Sequence, residues 1–93
     1  MTSLAHDELA AFLHLSETLR FSKSAKALNM SASALTRCIQ RIEADVGQPV
    51  LERSRREVTL TRAGEILRDY ARAHMAAHNH LLEALAAETR APT

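Results

Sequence analysis

Apolar residues return every three or four positions over most of this chain, and the period breaks once, near residue 50. Leu4, Ala11, Phe12, Leu15 and Leu19 share one side of a predicted helix over Asp7 to Leu19, with Asp7 and Glu8 in its first turn, where carboxylates favour the helix dipole. A second, short helix is predicted from Ser22, whose hydroxyl suits an N-cap, with Phe21 before it as a hydrophobic staple. Ala25 and Leu28 form its inner face, and Lys23 and Lys26 point outward. It ends at Asn29-Met30, since asparagine tolerates a left-handed backbone. A third helix follows with Ser31 as N-cap and Leu35, Ile39 and Ile42 inward. Ala32, Ser33, Thr36, Arg37 and Gln40 then share its outer face, with Cys38 beside it. Gly47-Gln48-Pro49 stops this helix.

Two short runs rich in β-branched and aliphatic residues come next, Val50 to Arg53 and Glu57 to Thr61. They predict a small hairpin with a basic tip at Ser54-Arg55-Arg56, although no Asn-Gly turn signal supports it. Thr61 is the next N-cap, and nothing interrupts the helical pattern from there to about Thr89. At 1.5 Å per residue that helix is about 40 Å long, too long for a small body to cover. Ala63, Leu67, Tyr70, His74, Ala77 and Leu81 alternate steps of four and three and are followed by Leu85 (or Ala84), the mark of a helix-pairing stripe. The expectation is a dimerisation helix rather than a core element. The tail after Arg90 reads as the start of a linker.

The 93 residues suffice for one small domain. Aromatics are 3%, so the core must be aliphatic, and two glycines and two prolines argue against a turn-rich β chain. A single cysteine excludes an internal disulfide framework. No apolar stretch could span a membrane, and the start has neither a basic nor an apolar signal region, so a cytoplasmic, nucleoid-associated location is expected.

The net charge of +1 hides an uneven distribution. Residues 1–19 hold three acids and no Lys or Arg, residues 20–62 hold nine bases against four acids, and residues 63–93 hold three bases against four acids. A basic middle suits an anionic partner.

Three helices, a hairpin and a long helix around a basic middle predict a mainly α, winged helix-turn-helix fold. In that fold the third helix enters the DNA major groove. Ala32 and Ser33 are small enough for close approach, Thr36 offers a hydroxyl and a methyl, and Arg37 can reach guanine or a phosphate. Ser22 and Ser31 sit where backbone phosphates pass, and Arg53, Arg55 and Arg56 carry the wing to the backbone or minor groove. Each has a plainer reading. Ser22 could be a cap only, Arg53 could pair with Glu52 or Glu57, Arg41 could face solvent or pair with Glu17 or Glu43, and Glu43 could be structural. His74 and His78 lie one turn apart, but no further ligand is evident beside them, so neither a metal nor a cofactor is expected. Tyr70 and Met75 read as packing residues, and no redox role for Cys38 is supported. No phosphate loop, catalytic triad or carboxylate pair points to an enzyme.

Residues 20–64 resemble the DNA-binding domain of LysR-type transcriptional regulators. The resemblance rests on Arg20-Phe21-Ser22, Ser24-Ala25, Leu28, Met30 to Ile39, Ile42-Glu43, Val46-Gly47, Val50-Leu51-Glu52-Arg53 and Arg56 to Gly64. Ala32 and Cys38 stand where the family commonly has glutamine, Thr36 where it has serine, and Leu51 where it has phenylalanine. Phe12 to Glu17, Ser31 to Arg37 and Gln40 to Pro49 further resemble the branch that regulates isoleucine–valine biosynthesis. The resemblance implies a winged domain over residues 1–61, with the helix-turn-helix at about 21–40 and the wing at about 50–60. A linker helix over 62–90 would pair two copies through Leu67, Tyr70, His74, Ala77, Leu81 and Leu85. It implies double-stranded promoter DNA as partner, and for a full-length regulator a small-molecule effector and RNA polymerase. The effector-binding domain is absent from this chain. The alternative is a helical dimerisation or protein-interaction module with a basic surface and no DNA specificity.

Overall fold

The computed structural model describes residues 4–90, and of Arg90 only the backbone. The expected start of a linker after Arg90 lies outside the described residues. The elements are α1 (His6–Thr18), α2 (Phe21–Ala27), α3 (Ala32–Val46), β1 (Leu51–Arg53), β2 (Val58–Leu60) and α4 (Arg62–Arg90). None of the helices is long and apolar enough to cross a membrane.

Helix α1 starts one residue earlier than its apolar pattern suggests, because Glu8 Oε1 accepts from Ala5 N–H at 3.1 Å and ties down the first turn. It buries Leu9, Phe12 and Leu15 completely. Leu9 fills the centre although the apolar stripe read from the sequence omitted it. Leu19 leaves the helix in a left-handed conformation (φ 54°), its N–H bonded to Leu15 O at 2.7 Å. The turn is sharp at an unfavourable residue type, and partial burial of Leu19 against the core offsets the cost.

Helix α2 corrects the sequence reading by one residue. It begins at Phe21 with Arg20 as N-cap, so Ser22 is an exposed residue of the first turn and caps nothing. The serine with structural work is Ser24, fully buried. Its hydroxyl bonds Thr18 Oγ1 at 2.6 Å and His14 Nδ1 at 2.8 Å. A buried hydroxyl without such partners costs about 1–3 kcal/mol, and among the described residues none lacks one.

Ser31 caps α3 as expected, accepting from Ala34 N–H at 3.1 Å, and Leu35, Ile39 and Ile42 are buried. Cys38 also points inward and is buried, a correction to its placement beside the outer face. Gly47 takes the left-handed position that ends α3 (φ 79°). Glu43 then reaches over the helix end and accepts from Val50 N–H at 2.9 Å, fixing the entry to the hairpin.

The hairpin is antiparallel, pairing Leu51 with Leu60, Glu52 with Thr59 and Arg53 with Val58. Ser54 builds its turn by itself. Its N–H donates to Glu57 O, and its hydroxyl accepts from Arg56 N–H at 3.3 Å and Glu57 N–H at 3.1 Å. This serine turn replaces the missing Asn-Gly signal.

Thr61 caps α4, accepting from Gly64 N–H at 3.0 Å and donating to Pro49 O at 2.7 Å. A Cβ on Gly64 would lie 2.0 Å from Val50 O, so only glycine lets α4 pass this close to the backbone. Leu67 and Ala71 enter the core beside α1. The core therefore extends two turns into α4, beyond the point where a purely pairing helix would begin. The rest of α4 runs on alone, which gives the chain extents of 59 × 29 × 19 Å.

Candidate nucleic-acid interface

The α2–α3 turn is held by the backbone. Leu28 N–H donates to Ser24 O and Met30 N–H to Ala25 O, while Asn29 sits at φ 56° as its residue type allows. The turn fixes α3 so that the face opposite Leu35, Ile39 and Ile42 is open to solvent. Ala32, Ser33, Arg37 and Gln40 are exposed on it, and Thr36 is half-buried. Arg37 has no ion pair among the described residues and is free to extend. Ser31 Oγ lies 3.3 Å from Ser33 Oγ. The cap hydroxyl thus accepts from the backbone while its own proton remains able to reach an acceptor.

The wing is fastened beside α2. The Arg53 guanidinium stacks over the Phe21 ring at 4.1 Å, so Arg53 pairs with neither Glu52 nor Glu57. Stacking of this kind leaves the N–H edge of the guanidinium available to an anion. Arg55 and Arg56 are exposed at the tip. Lys23 and Lys26 of α2, Arg37 of α3 and Arg53, Arg55 and Arg56 of the wing have no ion pair to neutralise them among the described residues. Arg41 lies apart from this set. It pairs with Glu8 at 3.5 Å, not with Glu17 or Glu43, and helps hold α3 to α1.

The expected pairing stripe divides. Leu67 is 7% exposed and belongs to this chain's own core. His74 shares a hydrogen bond of 3.0 Å with His6 of α1 and is half-buried. Tyr70, Ala77, Leu81 and Leu85 are exposed, and the sequence reading missed their companions Ile66 and Leu82. Ile66, at 57%, is the most exposed large hydrophobic residue among the described residues. Burial, then the Glu8 carboxylate, push the Cys38 thiol above its ordinary range, against a smaller opposing pull from Arg41. The thiol therefore stays protonated and poorly nucleophilic at neutral pH.

Residues 6–65 match the family described as bacterial regulatory helix-turn-helix proteins of the lysR family. The chain is 53% identical over 64 residues to the HTH-type transcriptional regulator IlvY of Escherichia coli K12, covering 69% of this chain and 22% of that protein. It is 46% identical over 78 residues to the HTH-type transcriptional activator IlvY of Salmonella typhimurium, covering 84% of this chain and 26% of that protein. The chain thus spans about a quarter of the length of these curated relatives. Among solved structures, it resembles the BenM DNA-binding domain in complex with catB site 1 DNA (TM-score 0.90, 25% identity, 96% of this chain and 99% of that one). It also resembles the CbnR DNA-binding domain bound to DNA (TM-score 0.85, 31% identity, 92% of this chain and 99% of that one). The match of motif, spacing and three-dimensional form places this chain in the LysR family of bacterial helix-turn-helix regulators, on its IlvY-like side.

Proposed function

We propose that this chain is the sequence-specific DNA-binding module of a LysR-type transcription regulator and reads a pseudo-palindromic promoter site as a dimer. The observation that carries the reading is the exposed outer face of α3 together with the unneutralised basic side chains of α2, α3 and the wing. Helix α3 lies in the major groove, with Ser31, Ala32, Ser33, Thr36 and Arg37 toward the bases. Ser22, Arg53, Arg55 and Arg56 follow the phosphates. Ala32 brings no polar group to a base edge, so Thr36 and Arg37 carry most of the preference. The complexes formed by the BenM and CbnR domains support this docking.

Pairing falls to the outer part of α4. Its exposed apolar residues gather at two ends, Ile66 and Tyr70 near the start and Leu81, Leu82 and Leu85 near the finish, with alanines between. Two copies laid antiparallel set Ile66 against Leu85 and Tyr70 against Leu81, and bring Arg68 beside Glu83. Two recognition helices then face successive major grooves. In a full-length regulator a further domain binds the small-molecule effector, and RNA polymerase is the downstream partner. The likeness to IlvY supports a target among branched-chain amino-acid genes.

The test is a fluorescence-anisotropy titration of a promoter-derived duplex and a scrambled duplex at two salt concentrations. The proposal predicts a preference of at least about a hundredfold that survives higher salt, on top of a shared salt-sensitive component. Arg37→Ala should cost about 1–3 kcal/mol on the promoter duplex and much less on the scrambled one. Equal, salt-abolished binding to both would instead favour a basic protein-interaction module.

A further inference from the structure

The wing is anchored at its base and open at its tip. Leu51 at the start of β1 is buried, and Val58 and Leu60 of β2 pack against the core, whereas residues 52–57 are exposed. The hydrogen bonds of Ser54, Arg56 and Glu57 close the turn on itself. No hydrogen bond or ion pair among the described residues joins residues 52–57 to the helices. What does join them is the Arg53 guanidinium, whose central carbon lies 4.1 Å from the centroid of the Phe21 ring. Phe21 is the first residue of α2 and is half-buried against the core, so it belongs to the body and not to the wing.

We infer that Phe21 is a positioning residue for DNA: its ring holds the Arg53 guanidinium where a backbone phosphate meets it, and so sets the wing relative to α2. This role rests on the DNA-binding reading and supplies what that reading leaves open, namely how an arginine on an exposed strand is held ready.

A free arginine spreads over many rotamers, and closing on a phosphate orders it at an entropic cost. A ring under the guanidinium removes part of that freedom beforehand. The attraction acts through the ring's quadrupole, while the N–H donors stay open for a two-pronged contact with phosphate oxygens. A carboxylate would hold the same arginine, but it would occupy those donors and cancel the charge that the phosphate needs. Glu52 and Glu57 are near in sequence, yet neither pairs with Arg53. Phenylalanine brings neither charge nor a hydrogen-bonding group, so it orients the arginine without competing for it. The residues that follow it, Ser22 and Lys23, are exposed in the first turn of α2. The stack therefore adds the wing's cation to a hydroxyl and an ammonium on the helix, along one phosphate path.

The test is a double-mutant cycle of Phe21→Leu and Arg53→Ala, read by fluorescence anisotropy on the promoter-derived and scrambled duplexes. Arg53→Ala should weaken both duplexes by a similar factor and lower the salt slope by about one per bound chain. Leucine at position 21 keeps an apolar side chain against the core and removes the aromatic face. Phe21→Leu should weaken both duplexes about two- to fivefold per bound chain, and Phe21→Tyr, which keeps the face, should bind as the wild type does. With Arg53→Ala already present, Phe21→Leu should change nothing further. Without DNA, the side-chain protons of Arg53 should show a ring-current shift in proton NMR that Phe21→Leu abolishes.

Wild-type affinity in Phe21→Leu would overturn the inference. So would an equal loss with and without Arg53, which would make the ring merely structural, a loss confined to the promoter duplex, or no ring-current shift. Should Phe21→Leu fail to fold, Arg53→Lys decides. It keeps the charge but not the planar group, so the same about two- to fivefold loss is expected, and wild-type affinity would overturn the role of the stack. The wild type itself separates the two levels. If it binds neither duplex, the DNA-binding reading fails and takes this role with it. If it prefers the promoter duplex while the two substitutions act independently, only the role of Phe21 is lost.

Discussion

One face of the first half of α4 and the aliphatic residues of its second half lie in opposite environments, although Ile66 and Tyr70 on the other face of the first half are themselves exposed. Leu67 and Ala71 in the first half are buried against α1, while Leu81, Leu82 and Leu85 in the second stand more than half exposed. Sequence pattern does not distinguish Leu67 from Leu81 and Leu85, because all three lie at helix-pairing intervals. What differs is the neighbour. Helix α1 covers the first turns and ends its cover near His74 and His78, and beyond them no other element of this chain is long enough to follow. Three leucines about half exposed on one helix represent about 1 kcal/mol each that a partner surface could recover. Burial in the body is thus intramolecular, and the outer leucines are covered by nothing among the described residues.

The contrast can be broken most strongly from the body. Phe12 is fully buried, so Phe12→Ala should cost about 3–5 kcal/mol, read as a lower denaturation midpoint that does not depend on protein concentration. The corresponding change outside is Leu81→Asp with Leu85→Asp. It should leave the helical body folded and weaken self-association at least about a hundredfold in sedimentation equilibrium, since two leucines per copy are lost from the contact.

Gly64→Ala probes the close approach of the start of α4 to the hairpin. The new methyl meets the Val50 carbonyl, so a loss of about 1–3 kcal/mol is expected in denaturant unfolding, with the exposed leucines untouched. Ser31→Ala is the mildest. It removes the cap of α3 at a cost of about 1 kcal/mol, and also the hydroxyl next to Ser33 at the DNA face. Paired unfolding and anisotropy curves separate the two effects.

Much of the fold was legible. The Ser31, Gly47 and Thr61 signals ended or began helices where expected, because each is a local interaction between a side chain or φ angle and the adjacent backbone. The hairpin was legible from its β-branched runs, while its turn was not, because Ser54 acts through its hydroxyl rather than through a positive φ. The failures share a cause. Ser22 looked like a cap because it is a serine preceded by an apolar Phe21, yet Arg20 takes the position and the buried serine is Ser24. Ser24 could be found only by knowing that His14 and Thr18 of α1 face it. Cys38 looked peripheral by its neighbours in sequence and is core by its angle on α3. Leu67 and His74 looked like a seam because periodicity cannot say whether the covering surface comes from the same chain. For the candidate interface, the outer face of α3 was legible, being the complement of its buried stripe. The stacking of Arg53 on Phe21 was not, since it joins residues that meet only after the wing folds back.

The central claim is that one region reads DNA and the other brings two copies to it. The most direct measurement is the stoichiometry and affinity of the chain on a specific duplex with two half-sites and on one with a single half-site, for the wild type and for the Leu81→Asp, Leu85→Asp variant. The account predicts two chains bound cooperatively by the wild type on the full site. It predicts weak binding of one chain per half-site by the variant, with base preference retained. Tight binding of a single wild-type chain, or cooperative binding unchanged in the variant, would contradict it.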